Sequence, residues 1–143
     1  MPATIALLAL GSMSLIMMDS GMMYQLAKAV VDVTGSVYPL VAPFIGVLAS
    51  FLTGNNTNSN VMFGSFQYTV AQELNVSGAV MSAVQSMSGA VGVAIGPTLV
   101  LMGTIAAKLT GKESIILKKL MVPVLLIAFI MGIINCVLLE VMK

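Results

Sequence analysis

The most polar stretch of this sequence, GNNTNSN at residues 54–60, lies between two strongly apolar segments. Asparagine, threonine and serine side chains accept hydrogen bonds from the first amides of a helix. The remaining free amides give a helix start roughly half a positive charge, which suits a carboxylate or a phosphate. Alternatively, Asn55 and Asn56 could hold a cation together with the carbonyls of Thr53 and Gly54. The stretch therefore predicts a binding site for a small ion.

The segments on either side are each too short to cross a membrane. Residues 40–53 would form a helix of about 21 Å, and residues 59–73 a similar one, against a hydrocarbon core of about 30 Å. Because non-helical backbone cannot face lipid, we predict a re-entrant hairpin over about residues 40–73. A polar loop between two ordinary spans is the alternative. The residues expected to open the second helix of the hairpin are Thr57, Asn58 and Ser59.

A second break is predicted in the glycine-rich stretch SGAVGVAIGPT, residues 88–98. Proline inside a helix removes a backbone hydrogen bond and costs about 3 kcal/mol. We expect unwound chain over 89–96, after a helix that starts at residue 76, and then a half-helix from Pro97 to about Leu109. Packing is the alternative, because the GVAIG spacing also lets helices approach closely.

The two breaks together indicate a transporter. Discontinuous helices whose positive ends meet near the middle of the bilayer hold anionic substrates in many secondary transporters. Gln67 lies in an apolar setting and could reach such a substrate. Asp19 would mark an ion or proton path if it lay within a span, and would be a solvated helix end if it lay at the interface.

The composition places these elements in a membrane. The chain is 59% hydrophobic and only 8% charged, whereas soluble domains are about 25% charged. Four of the six lysines lie in residues 108–119, which predicts a cytoplasmic loop by the positive-inside rule. The chain is then one membrane domain with a span over about 3–30, the hairpin, a broken span over about 76–109, that loop and a final span over about 120–140.

Several other classes are disfavoured by the residues. A net charge of +1 provides no basic patch for a nucleic acid. The absence of histidine and the single cysteine, Cys136, argue against a histidine-based metal site and a disulfide framework. No nucleophile–base pair is visible. We therefore expect neither an enzyme nor a bound cofactor.

Four segments of the chain resemble the L-lactate permease family. They match the family patterns YSGM, GxxLTGSDTSSNxLFxxLQ, GGxxGKMISPQ and GKE in order and spacing, from about residue 5 to residue 140. The hairpin pattern is specific, and the others support it. The matching segments are DSGM (19–22), PFIGVLASFLTGNNTNSNVMFGSFQ (43–67), SGAVGVAIGP (88–97) and GKES (111–114).

This resemblance implies uptake of lactate, and of glycolate, across the bacterial inner membrane by symport with a proton or another cation. It also implies an all-α membrane fold with a re-entrant hairpin and a broken helix, similar to one half of the inverted-repeat scaffold of the ion-transporter superfamily. Asp19 is the candidate for the coupling ion. The implied substrate-binding residues are Thr53, Gly54, Asn55, Asn56, Thr57, Asn58, Ser59, Asn60, Gln67, Gly89, Gly92, Pro97 and Thr98.

The chain departs from the family pattern at some of these positions. Family members have aspartate where this chain has Asn56, lysine where it has Val93 and glutamine where it has Thr98. They are also several times longer, so we expect a C-terminal fragment or split product that pairs with an N-terminal half of the transporter, or with copies of itself. The alternative is a non-transporting remnant or an assembly subunit that packs through the small residues of its helices.

Overall fold

The structure is a computed structural model that describes the backbone of residues 2–141, and the side chains of that range except at positions 2–4, 6, 7 and 10. The described residues form seven α-helices and two short 3-10 turns, without a strand. The helices are α1 (Pro2–Asp19), α2 (Met22–Thr34), α3 (Tyr38–Thr53), α4 (Asn56–Glu73), α5 (Gly78–Gly92), α6 (Pro97–Ala106) and α7 (Glu113–Val141).

The all-helical membrane class is confirmed. Within the described residues, three helical stretches are long and apolar enough to cross a membrane, namely Met22–Thr53, Gly78–Ile95 and Glu113–Val141. Helix α4 has 18 residues, as many as the second of these stretches, but its polar side chains keep it out of the set. The re-entrant course of α3 and α4 stays a prediction.

The N-terminal span is interrupted. The sequence predicted one span over about residues 3–30, but α1 ends at Asp19 and α2 begins at Met22. Gly21 between them has φ +74°, a left-handed conformation that glycine adopts without steric cost. A 3-10 turn at Gly35–Val37 then links α2 to α3, so helical chain continues from Met22 to Thr53.

Helix α3 contains a proline whose cost is relieved by a distant side chain. Pro43 lies inside α3. Because proline has no N–H, the carbonyl four residues earlier, at Pro39, loses its helical partner. The Asn135 side chain on α7 donates to that carbonyl at 2.8 Å. This bond ties α7 to α3 at a point where the sequence showed only an apolar run.

Helix α5 is the centre of the bundle and packs against α3, α4 and α7. Its small residues allow close approach to α3. Gly92 is the last residue of α5. A Cβ at this position would lie 2.6 Å from the carbonyl oxygen of Val47, so Gly92 has a packing role. The main apolar core beside these contacts is formed by Met23, Ala27, Tyr38, Ala42, Phe66, Val70, Ala71, Met81, Val84 and Leu139.

The second break is shorter than expected. Helix α5 continues through Gly92, so only a 3-10 turn at Val93–Ile95 and the extended residue Gly96 separate it from α6. The loop after α6 is also shorter than the predicted 108–119, because α7 already begins at Glu113. The Glu113 carboxylate accepts hydrogen bonds from the Gly111 N–H and the Thr104 hydroxyl, at 2.9 and 3.1 Å, and holds this loop in place.

Candidate functional site

The two breaks of the helices meet in space. A Cβ at Gly54 would lie 3.7 Å from Thr98 Oγ1, and a Cβ at Gly96 would lie 3.8 Å from Gly54 Cα. The start of α4 and the start of α6 are therefore neighbours. Each start carries partial positive charge from amides that have no helical acceptor. Two positive helix ends therefore lie near Gly54.

The turn before α4 consists of Gly54 and Asn55 alone. Gly54 has φ +76° and donates its N–H to the Ser50 carbonyl at 2.9 Å. The Asn55 side chain accepts from the Asn58 N–H at 2.7 Å and caps α4. The sequence had placed this capping function at residues 57–59, whereas the structure starts the helix one to three residues earlier.

Three side-chain oxygens surround Gly89 on α5. A Cβ at Gly89 would contact Asn56 Oδ1, and would lie 3.0 Å from Ser50 Oγ and 3.3 Å from Ser59 Oγ. Ser50 and Ser59 are fully buried. Ser50 Oγ and Asn56 Oδ1 have no hydrogen-bond partner among the described residues. Buried polar atoms are normally paired, so these atoms are suited to a ligand that supplies the missing bonds.

A buried polar network extends from this cluster, named here the Gly89 cluster (Ser50, Asn56, Ser59 and Gly89). Gln85 Nε2 donates to Ser59 Oγ at 3.1 Å, and Gln67 Nε2 donates to Gln85 Oε1 at 3.2 Å. The Tyr38 hydroxyl donates to Gln67 Oε1 at 2.7 Å. Gln67 was a predicted site residue, and the structure places it behind the cluster.

Three residues of this cluster and network were not predicted from the sequence, namely Ser50, Gln85 and Tyr38. Gln85 lies in the run AVMSAVQSMSGAV, and a lone amide in an apolar span is expensive to bury unless it is paired. The same signal had singled out Gln67, so it could have found Gln85. Ser50 and Tyr38 carry no such signal, because serine and tyrosine are common in the helices of membrane proteins.

The other predicted site residues lie around the cluster or away from it. The Thr53 hydroxyl donates to the Ala49 and Asn55 carbonyls, at 2.8 and 3.0 Å, and supports the turn. Asn60 Nδ2 donates to Ser86 Oγ at 3.1 Å. Thr57, Pro97 and Thr98 are exposed beside the break, and Asn58 is half-buried. Asp19 is exposed at the end of α1 and takes no part in the Gly89 cluster.

The described residues contain no group of three or more histidine, cysteine, aspartate or glutamate side chains that could hold a metal ion. The Gly89 cluster presents only neutral oxygens. Two open clefts lie elsewhere, one of them lined by Pro39, Leu74 and Glu140, and the other by apolar residues that include Phe44 and Ile95. Neither cleft is lined by the oxygens around Gly89.

A comparison with known protein families gives this geometry a context. The family model described as L-lactate permease matches residues 1–142. This chain belongs to the L-lactate permease family. The resemblance of the four sequence segments is thereby confirmed, and no solved structure matches the chain.

Individual permeases are similar over 46% to 81% of the chain. Glycolate permease GlcA of Escherichia coli (strain K12) is 38% identical over 116 residues, which are 81% of this chain and 20% of that protein. The L-lactate permease of Salmonella typhi is 41% identical over 95 residues, 66% of this chain and 17% of that protein. The L-lactate permease of Streptococcus iniae is 44% identical over 66 residues, 46% of this chain and 14% of that protein. The chain thus spans about a fifth or less of these permeases.

Proposed function

We propose that this chain forms the substrate-binding part of a permease that carries lactate, glycolate or a similar small carboxylate across the bacterial inner membrane, coupled to a proton or another cation. The observation that carries the proposal is the meeting of the α4 and α6 starts beside the Gly89 cluster. Membership in the L-lactate permease family and the names of the similar proteins supply the substrate class.

The charge at this region favours an anion. The amides of Asn56 and Thr57 precede the first hydrogen bond of α4, which runs from the Ser59 N–H to the Asn55 carbonyl at 3.2 Å. In α6 the first bond runs from the Val100 N–H to the Gly96 carbonyl at 3.0 Å. The amides before these bonds point out of the helix starts, where they attract negative charge.

The Gly89 cluster can supply hydrogen bonds to such a guest. Serine hydroxyls at Ser50 and Ser59 can donate to a carboxylate, and Asn56 Oδ1 can accept from a hydroxyl group. Because these atoms are shielded from solvent, a substrate reaches them only when the α3–α4 turn moves away from α5. We propose that this movement opens the site during alternating access, in which one bundle moves relative to another around the site.

Transport further requires the rest of the permease. Sites in inverted-repeat transporters lie at the interface of two halves, and this chain matches about a fifth of the length of its relatives. We therefore propose that it acts together with the remaining segments of a permease. The carrier role also implies that it is not an enzyme.

The test uses a chimera in which residues 1–142 replace the corresponding segment of the Escherichia coli glycolate permease. It is expressed in cells that lack their own lactate and glycolate uptake, and entry of radiolabelled glycolate and lactate is measured. We expect uptake above that of cells without the chimera. Asn56→Leu should lower uptake about tenfold, which corresponds to the loss of one hydrogen bond of about 1.4 kcal/mol.

Thr69→Val is the matched control on the same helix. Its hydroxyl is bonded to the Ser65 carbonyl at 2.9 Å and lies outside the Gly89 cluster, so uptake should stay within about twofold. If the unaltered chimera reached the membrane in normal amounts and took up neither acid, the transport proposal would be overturned in favour of a non-transporting role. Equal uptake by Asn56→Leu and Thr69→Val would show that the substrate does not bind at the Gly89 cluster.

A further inference from the structure

The hydrogen bonds behind the Gly89 cluster run in one direction. The chain of donors passes from the Tyr38 hydroxyl to Gln67, from Gln67 to Gln85 and from Gln85 to Ser59, and it links α3, α4 and α5. All four residues are at most 1% exposed. Buried chains of this kind polarise each bond in the same sense, which strengthens the last donor.

A backbone carbonyl sets this direction. Gln67 Nε2 also donates to the carbonyl of Ala42 at 3.2 Å, and a carbonyl can only accept. The amide of Gln67 therefore cannot be reversed, so its oxygen must face the Tyr38 hydroxyl. Its nitrogen then faces Gln85 Oε1, which turns Gln85 Nε2 toward Ser59.

The direction of these hydrogen bonds determines what the Ser59 hydroxyl can donate and accept. Its oxygen accepts the Gln85 hydrogen bond, so its own hydrogen is left to be donated elsewhere. The same oxygen lies 3.3 Å from the position of a Cβ on Gly89, where Ser50 Oγ and Asn56 Oδ1 have no partner among the described residues. Those unpaired buried atoms leave hydrogen bonds that a ligand at this point can supply.

At the Ser59 hydroxyl, this arrangement suits an anion better than a cation. A cation needs lone pairs, and the positive end of the Gln85 amide already occupies one lone pair of Ser59 Oγ. A carboxylate needs donors, and the hydroxyl hydrogen of Ser59 is available. On the basis of the function proposed above, we propose that Gln85 is a positioning residue that holds the Ser59 hydroxyl as a hydrogen-bond donor to the substrate carboxylate beside Gly89.

The first test is Gln85→Met in the chimera, a change that keeps the length of the side chain and removes both polar groups. The Ser59 hydroxyl then loses its fixed orientation. We expect the KM for glycolate and lactate to rise about tenfold while Vmax changes by less than about twofold. A hydrogen bond to a charged group contributes roughly ten- to hundredfold to binding affinity. Ser88→Ala is the control, because its buried hydroxyl on the same helix is bonded to its own helix at Val84, at 2.6 Å.

The second test is Gln85→Glu, which keeps a polar side chain at this position and can be used if Gln85→Met fails to fold. When the new carboxyl is protonated it can accept from Gln67 and donate to Ser59, as the amide does. When it is ionised it can only accept, so the Ser59 hydrogen turns toward it. We expect KM, divided by that of the unaltered chimera at the same pH, to be near one at low pH and to rise as the pH increases.

The outcomes separate the two proposals. If the unaltered chimera transports neither acid, the proposed function falls and the role of Gln85 in substrate binding falls with it. If it transports both, but Gln85→Met and Ser88→Ala have the same KM and Gln85→Glu shows no pH-dependent rise, only the positioning proposal is overturned. If Gln85→Met altered the sodium dependence of uptake and left the KM for the carboxylate unchanged, the positioning proposal would also be overturned, because that result indicates a cation beside Gly89.

Discussion

The two breaks of this chain share a location but differ in chemistry. The first, before α4, has a side-chain cap at Asn55, and the buried oxygens of Ser50, Asn56 and Ser59 on either side of it meet at Gly89. The second, before α6, has no side-chain cap, and it exposes Pro97 and Thr98. One break supplies specific hydrogen-bonding groups, whereas the other supplies only backbone dipole.

At the proposed site, this difference means that hydrogen-bonding groups and helix ends stand in for a charged side chain. The glycine-rich α5 allows the polar turn to pack against a helix backbone at Gly89, so buried oxygens come together there. The Gly96–Pro97 break places a second positive helix end next to Gly54, at little cost because proline is favourable in the first turn of a helix. Substitutions at matched positions of the two breaks can test this division of roles.

The largest effect is expected from Gly89→Ala. The new methyl group would occupy the point between Asn56 Oδ1, Ser50 Oγ and Ser59 Oγ, and overpacking of this kind costs about 1–3 kcal/mol. Uptake by the chimera should fall more than about tenfold. Gly64→Ala on α4 is the control, because nothing lies within 4 Å of its Cβ, and it should keep full uptake. Equal uptake by the two variants would contradict a site at Gly89.

Gly54→Ala should have the next largest effect, and it should act on stability. Gly54 has φ +76°, where an alanine costs about 1–2 kcal/mol. Gly96→Ala is the counterpart at the second break, where φ is −61° and the backbone tolerates alanine. Unfolding of the purified chain by a denaturing detergent should show the larger loss for Gly54→Ala. A larger loss for Gly96→Ala would mean that the contact with the Val93 carbonyl, 3.0 Å from its Cβ, outweighs backbone strain.

Substitutions of Asn55 separate capping from electrostatics. Asn55→Ala removes the side chain that accepts from the Asn58 N–H and should cost about 1 kcal/mol of stability. Asn55→Asp keeps the cap and adds negative charge at the start of α4, so stability should be retained while the KM for a carboxylate rises. The measurements are unfolding of the purified chain and uptake by the chimera. A lower KM for Asn55→Asp would argue for a cation at this helix start.

The smallest effect is expected from Thr98→Val at the second break. The Thr98 side chain is exposed, and the amide that contributes to the helix dipole is kept in the variant. Uptake should therefore change by less than about twofold. A loss as large as that of Asn56→Leu would show that the second break also binds through a side chain, and the contrast between the two breaks would disappear.

Several elements could be predicted from local sequence. The breaks at GNNTNSN and at Gly96–Pro97 were located correctly, because glycine, proline and clustered asparagines interrupt helices for local reasons. The extent of each break was overestimated. Asn55 caps α4 ahead of residues 57–59. Helix α5 runs through Gly92, which packs closely against α3. The helix end at Asp19 was missed, because nothing in the local run forbids a longer helix.

The sequence by itself determined the membrane class, the positions of the polar turn and the proline break, and the family patterns, because these depend on composition and on neighbouring residues. Only the tertiary structure decided which polar groups meet. Ser50, Gln85 and Asn135 find their roles through contacts between helices, and such contacts depend on how glycine surfaces allow α3, α5 and α7 to approach. The role of a buried hydroxyl or amide depends on partners that are distant along the chain, so no local sequence pattern reveals it.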